Sequence, residues 1–519
     1  MTMDTILILD FGSQSTQLIG RRIRQLGVYS TIVRGDAPFD SLPRDGVRGI
    51  ILSGSPYSVY EPGSPTVDRR IYSADVPILG ICYGLQRVCV DHGGTVAPLG
   101  KKEYGRARID VSDPARLFAR VPGKSFISWM SHGDSLTEVP AGFRVIASSE
   151  SGIPAGFVDE TRRIWGVQFH PEASHCEHGM EILEAFVDDI CGARREWNMD
   201  AFLAREREEL ARRVGARKVV LLISGGVDSC VVAALLLRSL DPEQVHLMYI
   251  DTGLMRKNET EEVLATLGTL GARHVHGIDA SEKFYAGLAG VEDPEKKRRI
   301  IGDLFMNVQE EEIRRLSIDD SLLAQGTLYT DLIESGRGVG DKAHLIKTHH
   351  NVRSPLVEAK RNAGLILEPL ASLYKDEVRA LGLTLGLPRP LVFRHPFPGP
   401  GLAVRILGGV TREKCDLLRA ADALFMAELR ARGLYDRIWQ AFCVLLPIRS
   451  VGVSGDARRY GHVLALRAVA SLDAITADVY PMPMSDLLEI SSLITNRIPE
   501  IGRVVYDVSS KPPATIEWE

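Results

Sequence analysis

A cysteine stands between two closely spaced glycines at the end of an apolar run. Residues 80–84 read Gly-Ile-Cys-Tyr-Gly, and a helical pattern follows over 85–90. The glycines would allow a sharp strand-to-helix turn, and the start of a helix lowers the pKa of a thiol. The pentapeptide alone fits a nucleophilic Cys82 and a small cysteine buried in a tight turn equally well.

A histidine and a glutamate lie two residues apart further along the chain. Residues 166–172 read Gly-Val-Gln-Phe-His-Pro-Glu, and we expect 166–169 to form a strand that ends at His170. Residues i and i+2 of a strand point the same way, so Glu172 could orient the ring of His170. Together with Cys82, these residues would form a nucleophilic triad at the strand ends of an α/β sheet. A histidine that caps a turn is the alternative for His170.

A second motif combines glycines, hydroxyls and a carboxylate. Residues 224–229 read Ser-Gly-Gly-Val-Asp-Ser and connect an apolar strand candidate to an apolar helix candidate. The glycines permit a tight turn with exposed N–H groups, the serines add donors, and the helix start favours an anion. No Lys-Ser/Thr pair follows, so the Walker mechanism is absent. This pattern suits pyrophosphate as a leaving group, and a plain strand-to-helix turn is the alternative.

The composition of the chain excludes several classes of protein. Its 519 residues are 45% hydrophobic and 25% charged with a net charge of −5, which is typical of a globular protein and gives no general attraction to nucleic acid or anionic membrane. The longest apolar stretch, 230–237, is too short to span a membrane. Seven cysteines without a C-x-x-C pair or zinc spacing favour a reduced, cytoplasmic protein.

Two series of apolar runs, separated by helical patterns, must position these motifs. The strand candidates are 6–9, 47–52, 76–81, 145–147, 155–158 and 164–169 in the first series, 219–223, 245–250, 273–278 and 321–324 in the second, and 462–467 and 503–508 near the end of the chain. This order predicts two successive doubly wound parallel-sheet domains followed by a smaller α+β domain. A charged stretch over 193–217 and a Pro/Gly-rich segment over 395–401 mark the two boundaries, which gives domains at 1–195, 196–395 and 396–519.

The first domain resembles the class I glutamine amidotransferases over most of residues 5–190. The likeness is carried by residues 80–86 and 166–172, with Ser-Gly-Ser-Pro at 53–56 and Trp-Met-Ser-His-Gly-Asp at 129–134. It implies that the cysteine attacks the glutamine carboxamide, forms a thioester and releases ammonia, while the histidine shuttles protons. The residues to which the resemblance assigns roles are Cys82, His170 and Glu172 (triad), Gly54 and Tyr83 (backbone N–H groups of an oxyanion hole) and Gln86 (near the glutamine).

The loop at 224–229 resembles that of the ATP pyrophosphatase (PP-loop) family, which adenylates its substrates. The resemblance implies ATP and Mg²⁺, without a tightly bound organic cofactor. It assigns ATP to Ser224, Gly225, Gly226, Val227, Asp228 and Ser229, the magnesium to Asp228, and the nucleoside region to Asp251. Lys375 is a further candidate for phosphate, although an exposed helix lysine is nearly as good an interpretation.

The end of the chain is similar to that of the glutamine-hydrolysing GMP synthetases, and this similarity extends over essentially the whole sequence. It is carried by residues 293–302, 325–329, 395–401, 450–453, 503–508 and 511–519. The family adenylates XMP at its 2-oxygen, and ammonia then yields GMP and AMP. The resemblance assigns XMP to Arg298, Lys511, Ile516 and Glu517 and implies a homodimer through the C-terminal domain. Chain ends usually fray, but two prolines and Trp518 favour a docked segment.

Two alternatives to this interpretation stay open at the level of sequence. The ammonia could serve another adenylated acceptor, such as deamido-NAD or a tRNA uridine, although the absence of a basic patch disfavours tRNA. The protein could also be a nucleotide-binding regulator with a degenerate glutaminase. One stretch departs from the family pattern, since residues 349–356 lack the expected glycines, so the loop up to Glu368 could differ in length and closure over ATP.

Overall fold

The computed structural model describes residues 3–13, 15–318, 320–334, 360–454, 457–471 and 476–519. The chain divides into two units, one built mainly from residues 1–202 and the other mainly from 203–328 and the described residues after 359. The stretch 349–356, which departs from the family pattern, lies outside the described residues.

The first unit contains one mixed sheet and its flanking helices. Its strands are β1 (Thr5–Asp10), β2 (Tyr29–Arg34), β3 (Val47–Leu52), β4 (Ile78–Ile81), β5 (Thr95–Val111), β6 (Ser125–Glu138), β7 (Arg144–Ser149), β8 (Pro154–Asp159) and β9 (Ile164–Val167). Its helices are α1 (Thr16–Gln25), α2 (Tyr83–Asp91) and α3 (Gly179–Glu184), and Ala185–Ile190 continues α3 as a π-helix.

The described strands of this sheet follow the order β2-β1-β3-β4-β9-β8-β7-β5-β6. The half from β2 to β9 is parallel, as the apolar runs predict, and the half from β9 to β6 is antiparallel. Strand β1 shows why the parallel half forms. Ile6 and Ile8 enter one apolar core while Leu7 and Leu9 enter another, so both faces of the strand are covered.

The predicted strand over 166–169 is shorter in the structure. Strand β9 ends at Val167, so His170 lies in the loop that follows it. The expected strand alternation is therefore wrong as the reason for the approach of Glu172 to His170, and the loop conformation supplies it instead. The strand candidates 155–158 and 164–169 correspond to β8 and β9, which pair in antiparallel register.

The second unit contains two sheets. Its strands are β10 (Val219–Ile223), β11 (Val245–Asp251), β12 (His274–Asp279), β13 (Leu322–Ala324), β14 (Ile366–Leu367), β15 (Gln440–Ser454), β16 (Ala457–Ala470), β17 (Asp478–Val479) and β18 (Ile501–Tyr506). The remaining described helices of the chain are α4 (Met199–Val214), α5 (Val227–Ser239), α6 (Glu259–Thr269), α7 (Ser281–Leu288), α8 (Pro294–Arg315), α9 (Tyr329–Glu334), α10 (Lys375–Thr384), α11 (Arg389–Val392), α12 (Arg412–Ala431) and α13 (Met484–Arg497).

The described strands of the first of these sheets are all parallel, in the order β12-β11-β10-β13-β14. The second sheet pairs β15, β16 and β17 in antiparallel fashion, and β18 joins β16 in parallel. One apolar core contains Val220 and Met248 of the parallel sheet together with Leu464 and Leu466 of the C-terminal sheet. The predicted fold class is confirmed, and the boundaries near 195 and 395 stay predictions. None of the described helices is long and apolar enough to cross a membrane.

Candidate active sites

Cys82 occupies the sharp turn between β4 and α2. Its φ of 53° lies in the left-handed region, which costs a non-glycine residue energy and marks a position held by its surroundings. The flanking glycines are required sterically, because a Cβ on Gly84 would lie 2.2 Å from the carbonyl oxygen of Leu52. A Cβ on Gly80 would lie 2.6 Å from the backbone nitrogen of Leu85. Close packing against the sheet therefore forces the chain to turn at the cysteine.

His170 lies between Cys82 and a carboxylate. Its Nδ1 is 2.8 Å from Oε1 of Glu172, whose side chain is fully buried, and its backbone N–H donates to the carbonyl of Trp129 on β6. Burial lowers the pKa of His170, but the negative charges of Glu172 and of the Cys82 thiolate outweigh it and hold the pKa well above 6.5. The arrangement stabilises an imidazolium beside the sulfur, as a nucleophilic cysteine requires.

The other predicted glutaminase residues surround the triad. A Cβ on Gly54 would lie 3.3 Å from Cε1 of His170, so this backbone passes directly by the ring. Tyr83 begins α2, whose first N–H groups have no partner within the helix. Gln86 donates to the carbonyl of Asp134 and approaches Gln168, whose Nε2 lies 3.8 Å from the sulfur of Cys82.

A cavity of about 700 Å³ opens onto this group, with Cys82, Tyr83, Gln86, His170 and Glu172 in its wall. Its size suits an amino acid substrate. Burial raises the pKa of the Cys89 thiol, about two turns further along α2, to about 12. It packs as a buried, neutral side chain.

The glycine-serine loop lies between β10 and the N-terminus of α5. Gly225 has a φ of 76°, a conformation that favours glycine, and Gly226 precedes the first residue of the helix. The hydroxyl of Ser229 accepts the backbone N–H of Ser224 and donates to the carbonyl of Gly226. The loop is thereby closed on itself at the start of a 13-residue helix, where an anion is favoured.

Lys375, the first residue of α10, meets this loop. Its Nζ lies 2.7 Å from both carboxylate oxygens of Asp228. The two residues are 147 positions apart in sequence, so the fold alone brings them together. Asp251 ends β11, but its oxygens accept hydrogen bonds from the backbone N–H of Gly253 and the hydroxyl of Thr260. In this structure the Asp251 carboxylate stabilises the loop that follows β11.

Asp228 fits one mode of magnesium binding. Among the described residues there is no group of three or more His, Cys, Asp and Glu side chains that could hold a metal ion. Magnesium that shares its coordination with phosphate oxygens, however, needs only one or two protein carboxylates. A lone carboxylate at the start of α5 therefore matches a metal that arrives with a polyphosphate.

The predicted XMP residues gather around the end of the chain. Arg298, on α8, donates to the backbone carbonyl of Glu519. Ile516 is buried in a small apolar cluster, and Glu517 accepts hydrogen bonds from Arg405 and Gln440. The backbone of Lys511 exchanges hydrogen bonds with that of Ala477. The described tail is docked rather than frayed.

The sequence analysis missed residues that contact the candidate site residues from the protein interior. Gln168, Arg405 and Gln440 touch Cys82 or Glu517, yet none stands at a motif position to which the resemblance assigns a role. The signal in the sequence is weak. Arg405 follows the Pro/Gly-rich segment within an otherwise apolar run, which hints at a buried charge in need of a partner.

Comparison with known proteins agrees with this geometry. Residues 7–190 match the model of the class I glutamine amidotransferases, 202–296 that of NAD synthase, and 427–518 that of the GMP synthase C-terminal domain. A glutamine-hydrolysing GMP synthase of Symbiobacterium thermophilum is 48% identical over 516 residues, or 99% of both chains. Those of Alkalilimnicola ehrlichii (49% identical, 99% of this chain and 98% of the relative) and Aquifex aeolicus (48%, 99% of both) are equally similar.

The chain belongs to the glutamine-hydrolysing GMP synthases. This membership decides between the acceptors that the sequence left open. The NAD synthase model covers only the region around the glycine loop, whereas the GMP synthases match from end to end. Deamido-NAD and tRNA uridine are thereby set aside as acceptors. The end-to-end match to enzymes of this family also sets aside the alternative of a non-catalytic regulator.

Proposed function

We propose that this GMP synthase divides its reaction between the triad of the first unit and the glycine loop of the second. At the triad, glutamine and water become glutamate and ammonia. At the loop, ATP and XMP become adenylyl-XMP and pyrophosphate, and ammonia then displaces AMP to give GMP. The observation that carries this proposal is the 2.8 Å contact between His170 and Glu172 beside Cys82, in a chain that also holds the loop at the start of α5.

In the first half-reaction, the thiolate of Cys82 attacks the carboxamide carbon of glutamine. The backbone N–H groups of Gly54 and Tyr83 stabilise the oxyanion, and Gln86 helps to hold the substrate. The carbon–nitrogen bond breaks as His170 transfers its proton to the departing ammonia. Water then attacks the thioester with His170 as the base, which releases glutamate and restores the thiol. Glu172 keeps the ring oriented throughout.

In the second half-reaction, residues 224–229 bind the phosphates of ATP through N–H groups and hydroxyls. Asp228 would hold Mg²⁺, which would supply positive charge to the pyrophosphate leaving group. Lys375 pairs with Asp228 in this structure, so its ammonium is already placed where a polyphosphate arrives. Because the bond between the α- and β-phosphates breaks, the loop has to bind the leaving group rather than a transferred γ-phosphoryl.

XMP is the adenylated substrate in this proposal. We assign Arg298 and Lys511 to it as cations for its anionic 5′-phosphate, together with Ile516 and Glu517 of the docked tail. Asp251 would line the nucleoside region beyond β11. The docking of the tail onto α8 supports this assignment, because it places residues that are distant in sequence around one region.

The C-terminal sheet would form a homodimer. Val451 on β15 and Tyr460 on β16 are directly paired, and their side chains are 50% and 62% exposed. Val453, two residues further on the same face, is 79% exposed. An apolar face of this kind on an enzyme is most readily explained by contact with a second copy.

The division of labour is tested with two variants and two nitrogen sources. With XMP, ATP and Mg²⁺, the Cys82→Ala variant should form GMP from ammonium but not from glutamine, because only the nucleophile is lost. Asp228→Ala should form none from either source. Cys89→Ala, a buried cysteine on the same helix as the elbow, serves as the control and should use glutamine normally.

Pyrophosphate and GMP are followed together in this experiment. If a folded Cys82→Ala protein formed no GMP from either glutamine or ammonium, the cysteine would be structural. Synthesis by Asp228→Ala at the wild-type rate would remove this carboxylate from the ATP site.

A further inference from the structure

A buried carboxylate lies directly against the glycine-serine loop. Glu259 is the first residue of α6, and its side chain is 3% exposed. A Cβ on Gly225 would lie 3.0 Å from Oε1 of Glu259, so the carboxylate closely approaches the backbone of the loop. An unpaired negative charge at this position would repel a polyphosphate bound in the loop. The loop can therefore hold an anion well only if this charge is neutralised.

Arg394 supplies the opposite charge. Its Nη1 donates to Oε1 of Glu259 at 2.8 Å, although the two residues are 135 positions apart in sequence. The arginine side chain is only 16% exposed. The other oxygen of the carboxylate, Oε2, accepts the backbone N–H of Arg256 at 3.0 Å. Glu259 is thus held at both oxygens, and it in turn fixes the guanidinium of Arg394 beside the loop.

The same guanidinium reaches the loop itself. Nη1 of Arg394 donates to the carbonyl oxygen of Gly225 at 3.4 Å. The peptide between Gly225 and Gly226 is trans, so its C=O and N–H point in opposite directions. The contact therefore turns the N–H of Gly226 away from Arg394. This N–H points to the hydroxyl of Ser224 at 3.4 Å, within the loop at the start of α5 where an anion is favoured.

We propose that Arg394 and Glu259 are positioning residues for the phosphates of ATP. Arg394 fixes the peptide between Gly225 and Gly226 so that its N–H faces the phosphates, and Glu259 fixes Arg394. The inference rests on the proposed binding of ATP phosphates by residues 224–229, and it adds two residues that do not touch the nucleotide. Because the arginine cancels the charge of Glu259, it also removes the repulsion between that carboxylate and the phosphates.

A structural role in the Pro/Gly-rich segment is the competing explanation, because Arg394 immediately precedes that segment. The segment has anchors of its own, since Nη2 of Arg256 donates to the carbonyls of His395 and Pro396. The ring of His395 also stacks on Tyr435. None of these contacts uses the side chain of Arg394. The segment should therefore stay docked when this side chain alone is replaced.

The first test is Arg394→Gln, assayed with ammonium as the nitrogen source so that the triad does not contribute. Charge-assisted hydrogen bonds are lost and a buried carboxylate is left unpaired, so the KM for ATP should rise by at least about tenfold. Inhibition by added inorganic pyrophosphate should weaken by a similar factor, because the same loop binds it. The KM for XMP should stay at the wild-type value.

The KM for XMP separates the two explanations. A displaced Pro/Gly-rich segment would raise it as well, because the segment leads to Arg405, which holds Glu517 of the proposed XMP site. The matched control is Glu262→Gln. Glu262 accepts from Nη2 of the same guanidinium at 3.0 Å, but its side chain is 60% exposed. This variant leaves no buried charge unpaired and should keep the wild-type KM for ATP.

Two further variants separate positioning from general stability. Arg394→Lys keeps a cation beside Glu259 but loses the fork, so its KM for ATP should lie between those of wild type and Arg394→Gln. Addition of Glu259→Gln to Arg394→Gln removes the unpaired carboxylate and should lower the KM for ATP again. If Arg394→Gln does not fold, Arg394→Lys and the double variant keep the inference testable.

Gly226→Pro tests the N–H itself, because the φ of −72° at this position is one that proline adopts. It should raise the KM for ATP as Arg394→Gln does. Wild-type kinetics in both Gly226→Pro and Asp228→Ala would refute the ATP site on which the inference rests. Wild-type kinetics in Gly226→Pro alone, or in folded Arg394→Gln, would overturn only the inference. An equal rise of both KM values in Arg394→Gln would do the same.

Discussion

At the scale of single residues, the candidate glutaminase site depends on the pairing of the buried Glu172 carboxylate with the His170 ring. Glu172 is fully buried, and its Oε2 has no hydrogen-bond partner among the described residues. An uncompensated carboxylate at such a position is costly, so a positive charge on His170 lowers the energy of both. The raised pKa of His170 follows from this pairing. In the proposed reaction, the same charge makes the imidazolium available as the acid that protonates departing ammonia.

Glu172→Gln should therefore disable glutamine use while it leaves the shape of the site unchanged. The amide cannot hold the imidazolium, and the pKa of His170 should fall from its raised value because burial then dominates. We expect the rate of glutamine hydrolysis to drop by at least about a hundredfold, by analogy with loss of the orienting carboxylate in other triads. The rate at which ammonia is released from glutamine measures this drop.

The matched control for this change is Glu181→Gln in the same unit, which alters a half-buried pair with His178. It should hydrolyse glutamine normally. A Glu172→Gln enzyme with wild-type hydrolysis would show that His170 needs no orienting carboxylate.

What the sequence can reveal at this scale is limited by distance along the chain. Cys82 and the His170–Glu172 pair are readable because each lies in a short motif with a mechanical reason for its spacing. The pair of Lys375 and Asp228 spans 147 positions, and Arg405 meets Glu517 across 112. Partners of this kind are defined only by the tertiary fold, and no local pattern marks them.

At the scale of elements, the candidate glutaminase and ATP residues lie where parallel strands end. Cys82 follows β4, the glycine-serine loop follows β10 and Asp251 closes β11. The carboxyl ends of parallel strands share one edge of a sheet, which is where ligands bind in such folds. The apolar runs predict these strands well because both of their faces are buried.

The antiparallel elements were harder to predict. Strands β5 and β6 form a long hairpin, and β6 alternates buried and more exposed residues from Ser125 to Trp129. Such strands lack the continuous apolar run of a parallel strand, and β5 carries lysine, glutamate and glycine. Their pairing depends on contacts with the rest of the sheet rather than on local propensity.

His395, in the Pro/Gly-rich segment, should make the stability of the second unit depend on pH. Its Nε2 lies 3.0 Å from the carbonyl of Tyr435, to which it donates, and its Nδ1 accepts the N–H of Ala441. The second contact requires the neutral ring, because a protonated Nδ1 cannot accept. Burial and the nearby Arg256 and Arg430 lower its pKa to about 4. In the unfolded chain the ordinary value is 6.5, so between these values only the unfolded state binds the proton.

The contribution of His395 to stability is therefore complete above about pH 6.5 and is lost as the pH falls towards 4. On acidification to about pH 5, we expect wild type to lose about 2 kcal/mol that a His395→Phe protein does not lose. Phenylalanine keeps the stack on Tyr435 but cannot titrate. Urea unfolding of the second unit at the two pH values measures the difference, and identical pH dependence in both proteins would contradict it.

At the scale of the whole molecule, the two chemistries belong to different units of the chain. The triad is formed entirely within residues 1–202, and the loop with its lysine within the second unit. The second unit also joins two predicted domains through one apolar core. Changes in the C-terminal sheet are therefore expected to reach the adenylating site through shared packing, whereas the triad keeps its own core.

The exposed apolar face of the C-terminal sheet should be the contact between the two chains of a homodimer. A face that carries Val451 and Tyr460 at half exposure or more should be covered by the same face of a second chain, since such contacts are self-complementary in a twofold dimer. We expect wild type to sediment with twice the 57.1 kDa mass of one chain. Val451→Asp places a charge at the centre of this contact and should yield monomers, because an unpaired charge cannot be buried there.

The control is Val145→Asp, a similar change at an exposed valine of the first unit, which should remain dimeric. A monomeric wild type would contradict the homodimer, and a dimeric Val451→Asp protein would place the contact elsewhere. If XMP reaches its site only in the dimer, the monomeric variant should also lose XMP-dependent pyrophosphate release while it still hydrolyses glutamine, because the triad unit is untouched. Retention of both activities would show that each chain completes its XMP site alone.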